Sequence, residues 1–117
     1  MQDRLTQEIN QYWSNRAGSY SEINQDELKG IQHRAWQKLI SDTISKFHHN
    51  KNTNAFSILD IGAGPGFFSI ILAESGYKVT ALDANADMLA QAKKNASPLA
   101  EKIQFVQGDA QNLPFDD

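Results

Sequence analysis

Ser57-Ile58-Leu59-Asp60-Ile61-Gly62-Ala63-Gly64-Pro65-Gly66-Phe67-Phe68 is the stretch that decides the fold. An apolar run passes through one acidic residue into three glycines at alternate positions, and then into a second apolar run. From Phe56 to Ile61 the chain is short, apolar and closed by glycine, as expected of a parallel strand buried on both faces. From Phe67 to Ala73 apolar residues recur at helical spacing. The glycines therefore stand where strand becomes helix. There a Cβ would obstruct close approach, and backbone N–H groups at the helix start would face a ligand above the strand's carboxyl end. An ordinary tight turn needs one glycine rather than three, so the stretch reads as a nucleotide-type cofactor loop.

The spacing narrows the cofactor. The dinucleotide fingerprint G-x-G-x-x-G is not met: Gly66 arrives one residue early and Phe67 occupies the place reserved for glycine. Asp60, two positions before Gly62, would repel a pyrophosphate at short range but tolerate a cation. A nucleotide-dependent oxidoreductase with an irregular loop is thus an alternative with two features against it.

Two further strands follow. Lys78-Val79-Thr80-Ala81-Leu82-Asp83 comes after the helix stop Gly76 and closes on a carboxylate. An acid at the end of the second strand, about 20 residues past the glycine loop, is placed to accept hydrogen bonds from ribose hydroxyls. Asp83 could instead cap the next helix, though Asn85 would serve as readily. That helix sets Met88, Leu89, Ala92 and Leu99 on one side and should pack on the sheet. Met88 either lines an adenine pocket or fills the core. Ile103-Gln104-Phe105-Val106-Gln107 is the third strand, ending in Gly108-Asp109-Ala110. Three acids, Asp60, Asp83 and Asp109, thus close three successive strands and are expected along one crevice, where open parallel sheets bind ligands.

Asp60-Ile61-Gly62-Ala63-Gly64-Pro65-Gly66 resembles the D-x-G-x-G-x-G signature of class I S-adenosylmethionine-dependent methyltransferases. Their cofactor carries an ammonium, a sulfonium and no phosphate, which agrees with the charge of Asp60. The resemblance implies an α/β fold, a Rossmann-like doubly wound parallel sheet of which three strands are present. It implies S-adenosyl-L-methionine as cofactor and S-adenosyl-L-homocysteine as product. The residues expected at the cofactor are Asp60, Gly62, Ala63, Gly64, Gly66, Asp83, Ala84, Met88, Asp109 and Ala110, the last two at the adenine by the resemblance. Leu113-Pro114-Phe115 is similar to the loop before the family's fourth strand. Seven strands are usual in this family, so a chain ending at Asp116-Asp117 reads as truncated. The first strand, central in the family, would then be an exposed edge, which predicts association or instability.

The leading fifty residues are expected to form a helical cap segment (1–50) ahead of the cofactor-binding half-domain (51–117). Leu5, Ile9, Tyr12, Trp13 and Ala17 recur at helical spacing, as do Leu28, Ile31, Ala35, Leu39, Ile40, Ile44 and Phe47. Gly18-Ser19-Tyr20-Ser21 reads as a break between two helices. Tyr12-Trp13-Ser14-Asn15-Arg16-Ala17-Gly18-Ser19-Tyr20 resembles the leading segment of the ubiquinone and menaquinone biosynthesis methyltransferases. By that resemblance Tyr20 approaches the cofactor; the alternative is a tyrosine that packs the break. Trp13 and Trp36 are expected as core anchors.

Composition bounds the rest. With 117 residues, 21% charged and 40% hydrophobic, the chain has room for one small domain. A net charge of −3 without a basic run gives no nucleic-acid surface and no anionic-membrane partner, which favours a small-molecule substrate. No cysteine is present, so disulfides, thiolate metal sites and a cysteine nucleophile are excluded. No leader or spanning segment is visible, and cytoplasmic residence is the default. His48 and His49 fall in a polar linker and His33 among the helices; none suggests a metal site. No residue is marked as a catalytic base. A non-catalytic module that binds S-adenosylmethionine is the alternative to an enzyme.

Overall fold

The computed structural model describes residues 3–47 and 57–115, apart from the side chains at 24, 27–29, 31–32 and 47. The linker with His48 and His49 lies outside them. Two helices, α1 (Arg4–Lys29) and α2 (Ile31–Phe47), precede β1 (Ser57–Ile61), α3 (Phe67–Glu74), β2 (Lys78–Asp83), α4 (Ala86–Ala96), a 3₁₀ turn (Leu99–Lys102) and β3 (Ile103–Gln107). The strands form one parallel sheet in the order β1-β2-β3.

Register explains where the core lies. Ile58, Val79 and Ile103 stand side by side, as do Asp60, Ala81 and Phe105 one pleat on. These residues share one face because strand side chains alternate. Val79, Ala81 and Ile103 join Ile70, Leu72 and Ala73 of α3 and Ala96 of α4 in a single buried cluster, with Ile58, Phe105, Ile40 and Ile44 packed against it. Both crossover helices thus cover the same face. Strand β1 accordingly is not buried on both faces: Leu59 and Ile61 point away from the helices and are 37% and 49% exposed. On that far face the chain after β3 folds back over Leu82, where a Cβ at Gly108 would come within 2.9 Å of Leu82 Cδ1. β1 forms the edge of the sheet, with β2 on one side and no described strand on the other.

The expected break at Gly18–Ser21 does not occur. Helix α1 runs unbroken through it, and the chain turns instead at Gly30. Gly18 has open space around it, while its neighbours Ala17 and Ser21 are buried. Interior glycine costs about 0.5–1 kcal/mol against alanine, and packing along the rest of the helix outweighs that. Helix α4 is shorter than its apolar spacing suggests, since Pro98 cannot continue it, and Leu99 falls in the 3₁₀ turn.

Asn85, not Asp83, caps α4: its Oδ1 accepts from the Met88 N–H at 2.9 Å. The same buried amide donates through Nδ2 to the Asn10 carbonyl, Asn10 Oδ1 and Ser14 Oγ of α1, at 2.8–2.9 Å. Asn85→Ala removes both a cap and an interhelix tie. It is expected to lower the unfolding free energy by about 2–3 kcal/mol in urea denaturation, more than the ~1 kcal/mol of a cap alone. A midpoint shift no larger than a cap explains would show that the contacts to α1 add nothing.

Candidate functional site

All three loop glycines adopt positive φ: Gly62 at 70°, Gly64 at 56° and Gly66 at 94°. The left-handed backbone, which L side chains resist, is the reason the loop alternates glycine. Steric room matters only at Gly66, where an added Cβ would lie 3.1 Å from Ala92 Cβ on α4. The loop amides are already engaged within the protein. Gly62 and Ala63 donate to the Leu82 carbonyl at 2.8 and 3.0 Å, Gly66 to the Ala63 carbonyl at 3.1 Å, and Gly64 to Asp83 Oδ2 at 2.9 Å. A phosphate cradle needs free N–H groups, and these bonds take up the amides of Gly62, Ala63, Gly64 and Gly66.

Asp83 is fixed from two sides, since its Oδ1 also accepts from the Asn85 N–H at 2.9 Å. Each carboxylate oxygen keeps a lone pair for a further donor. Asp60, on the neighbouring strand, accepts from Ser69 Oγ of α3 at 2.7 Å. Burial pushes the Asp60 carboxyl above its ordinary 3.8, against the lowering effect of Ser69's hydroxyl and backbone N–H; the nearby charge of Asp83 raises it further. A raised folded-state value means that neutral Asp60 stabilises the fold below the ordinary carboxylate range. That contribution is lost as pH rises through the folded value.

Above these carboxylates lies a cavity of about 540 Å³, within the about 300–1,000 Å³ range of small-molecule sites. Asp60, Gly62, Ala63, Gly64 and Asp83 form its floor, with Met88 of α4 beside them. Trp13, Tyr20 and Ile23 of α1, Trp36 of α2, and Phe67 and Phe68 of α3 make up its walls. Trp36 meets Phe68 edge to face at 5.2 Å, and Trp13 meets Tyr20 likewise at 6.2 Å. Among the described lining residues there are two carboxylates and no Lys, Arg or His.

Residues 58–117, just over half of the chain, match the family model of a methyltransferase domain. This chain belongs to that family. The chain is 32% identical over 114 residues to a ubiquinone/menaquinone biosynthesis C-methyltransferase of Rhodopseudomonas palustris, covering 93% of this chain and 44% of that protein. It is 33% identical to a demethylmenaquinone methyltransferase of Staphylococcus epidermidis, at 95% and 44% coverage. The chain therefore spans less than half the length of these curated relatives. In structure it resembles a Methanococcus maripaludis protein assigned as an S-adenosyl-L-methionine-dependent methyltransferase, with a TM-score of 0.66 and 29% identity over 89% of this chain and 45% of that one. The Rossmann-like sheet expected from the sequence is thus the sheet observed.

The fold brings Asp60, Gly62, Ala63, Gly64, Asp83, Met88 and Tyr20 to one cavity. Other expected positions lie elsewhere. Gly66 is buried against α4 and supports the loop from behind. Ala84 is exposed and does not line the cavity. Asp109 is exposed, its Oδ1 accepting from the Gln111 N–H at 2.8 Å, and it bridges to Asn112 to close a turn. That turn carries Ala110 into a second hollow, shared with Leu59, Thr80, Leu113 and Phe115 on the far face of the sheet. The three acids do not share one crevice here; two of them do.

Sequence reasoning also misplaced both tryptophans. Trp13 and Trp36 are 39% and 38% exposed and wall the cavity rather than anchor the core. The signal was available in part, because Trp13 and Tyr20 are seven residues apart and so share a helix face once the helix is continuous. His33 packs as expected of a structural histidine, with Nε2 2.7 Å from Glu74 Oε2 of α3.

Proposed function

We propose that this chain supplies the cofactor-binding half of an enzyme that transfers the methyl of S-adenosyl-L-methionine to a small-molecule acceptor, releasing S-adenosyl-L-homocysteine. One observation carries the proposal: the cavity floor offers two carboxylates and engaged loop amides, with no cation among the described lining residues. That floor suits a cationic ligand bearing hydroxyl donors and repels a phosphate. When bound, the cofactor supplies a methyl group already activated on a positively charged sulfur. The tasks left to this chain are binding, alignment and exclusion of water. Asp83 accepts from ribose hydroxyls, Asp60 draws the positively charged part of the ligand over β1, and Met88 lies on the adenine side. Residues 1–50 act as a cap whose aromatic walls hold the acceptor, and their apolar character favours an uncharged one. The relatives' names support a small acceptor of the quinone-precursor kind.

Two further properties belong to the same proposal. Among the described residues no helix is long and apolar enough to cross a membrane, and a cytoplasmic location is part of the proposal. The edge of β1, with Leu59 and Ile61 exposed beside it and no described strand beyond it, supports pairing with a second copy. Light scattering on folded protein should then give twice the chain mass, and a monomer would refute the pairing.

The functional proposal is tested by calorimetry of this chain with S-adenosyl-L-homocysteine, using NADH as the control. Saturable binding of the first alone is expected. Preference for NADH would establish the oxidoreductase alternative, and methyl transfer by the full-length enzyme would separate an enzyme from a binding module. Affinity should also depend on pH through Asp60. Lowering pH through its raised titration neutralises the carboxylate, so binding of a cationic ligand weakens, and Asp60→Asn should flatten that slope. An identical slope in Asp60→Asn would show that Asp60 does not meet the ligand's charge.

A further inference from the structure

Two parts of the cavity come from segments far apart in the chain. The floor is the glycine loop, and one wall is α1 with Trp13 and Tyr20. A single side-chain amide on α4 touches both. Asn95 donates through Nδ2 to the carbonyl of Pro65 in the loop at 3.0 Å and to Ser21 Oγ of α1 at 2.8 Å. Its Oδ1 accepts from Gln25 Nε2, one turn further along α1, at 2.6 Å. Both N–H groups and the carbonyl of the amide are thus held, which fixes its orientation. Pro65 and Ser21 are buried, so neither bond is readily exchanged for one to water. Next to Ser21, the ring of Tyr20 comes within 3.9 Å of the position a Cβ would take at Gly64.

We propose that Asn95 is a positioning residue that couples the glycine loop to α1. A ligand seated on the loop then fixes the Trp13–Tyr20 wall over it, and loosening α1 loosens the loop. The bond to Pro65 and the bonds to Ser21 and Gln25 pull on one rigid amide, so displacement of either segment breaks the other's contact. The ligand half of the coupling rests on the cofactor proposed above; the half within the free protein does not.

Hydrogen exchange on the whole chain tests both halves. Ser21→Ala removes a partner on α1 and leaves the Asn95–Pro65 bond formally intact. With coupling, it accelerates exchange at the Gly64 and Gly66 amides about fivefold, the effect of one lost hydrogen bond, while β3 is unaffected. Asn95→Asp keeps acceptors for Ser21 and Gln25 but sets a carboxylate oxygen against the Pro65 carbonyl, and gives the same loop acceleration. The double variant adds little, because both changes break one linkage. A merely structural amide would instead speed exchange throughout the fold. Unchanged loop amides in Ser21→Ala, or effects that multiply in the double variant, would overturn the proposal. Adding S-adenosyl-L-homocysteine should slow exchange in both the loop and α1 of the wild type, and in Asn95→Asp it should slow α1 less than in the wild type while still slowing the loop. Equal protection of α1 in both would overturn the ligand half, whereas failure of the wild type to bind would refute the cofactor and leave the free-protein result to decide the coupling.

Discussion

Asp83→Ala is expected to weaken S-adenosyl-L-homocysteine binding by about 100-fold or more in calorimetry, because two charge-assisted hydrogen bonds at about 1.5–3 kcal/mol each are lost. The carboxylate acts twice. Toward the protein it holds the Gly64 and Asn85 amides at 2.9 Å each, and toward the cavity it presents its remaining lone pairs. Removing it releases the loop at its middle glycine and, in the proposed site, the ligand's hydroxyls as well. Asp83→Asn should fall between, since one oxygen still accepts while the NH₂ group opposes an amide donor. A loss of less than fivefold in Asp83→Ala would show that the ligand does not reach β2.

The second large effect is on stability. Gly66→Ala should lower the unfolding free energy by about 2–4 kcal/mol, combining left-handed strain with a tight contact. Its φ of 94° disfavours any Cβ, and that Cβ would stand 3.1 Å from Ala92 Cβ and 3.4 Å from Ala92 Cα. At Gly62, where φ is 70° and nothing lies within 4 Å, alanine meets only the backbone penalty of about 1–2 kcal/mol. Adding Ala92→Gly to Gly66→Ala should recover part of the loss, because it removes the nearest atom but not the strain. Urea denaturation of these three variants, with Ala92→Gly alone as the reference, resolves the two terms. Equal losses at Gly62 and Gly66, with no recovery in the double variant, would remove the packing contribution.

Much of this was legible in the sequence where one local rule governs. The three strands, the glycine loop and α3 follow from short apolar runs punctuated by glycine, and β2 ends on Asp83 as read. What failed depended on neighbours far along the chain. Gly18 signals a break only if α1 is considered alone; burial of Ala17 and Ser21, with Ser21 bonded to Asn95 of α4, keeps it helical. The two tryptophans read as core because indoles usually are, and only the joint placement of α1, α2 and α3 turns them into walls. Asp109 followed the same strand-end rule as Asp60 and Asp83, yet the turn it closes with Asn112 takes the next residues to the far face of the sheet. Asn95, in a helix with an obvious apolar stripe, carried no signal of its dual contact. The loop glycines were right for a reason only partly foreseen, since backbone conformation governs all three and close approach governs one.

The most direct test of the central claim is an amide and indole NMR titration of this chain with S-adenosyl-L-homocysteine. If the cavity between the glycine loop and α1 is the cofactor site, the Gly62, Gly64 and Asn85 amides and the Trp13 and Trp36 indole N–H signals shift together and saturate at one ligand per chain. Shifts confined to Ala110–Phe115, or a response to NADH in place of S-adenosyl-L-homocysteine, would contradict it.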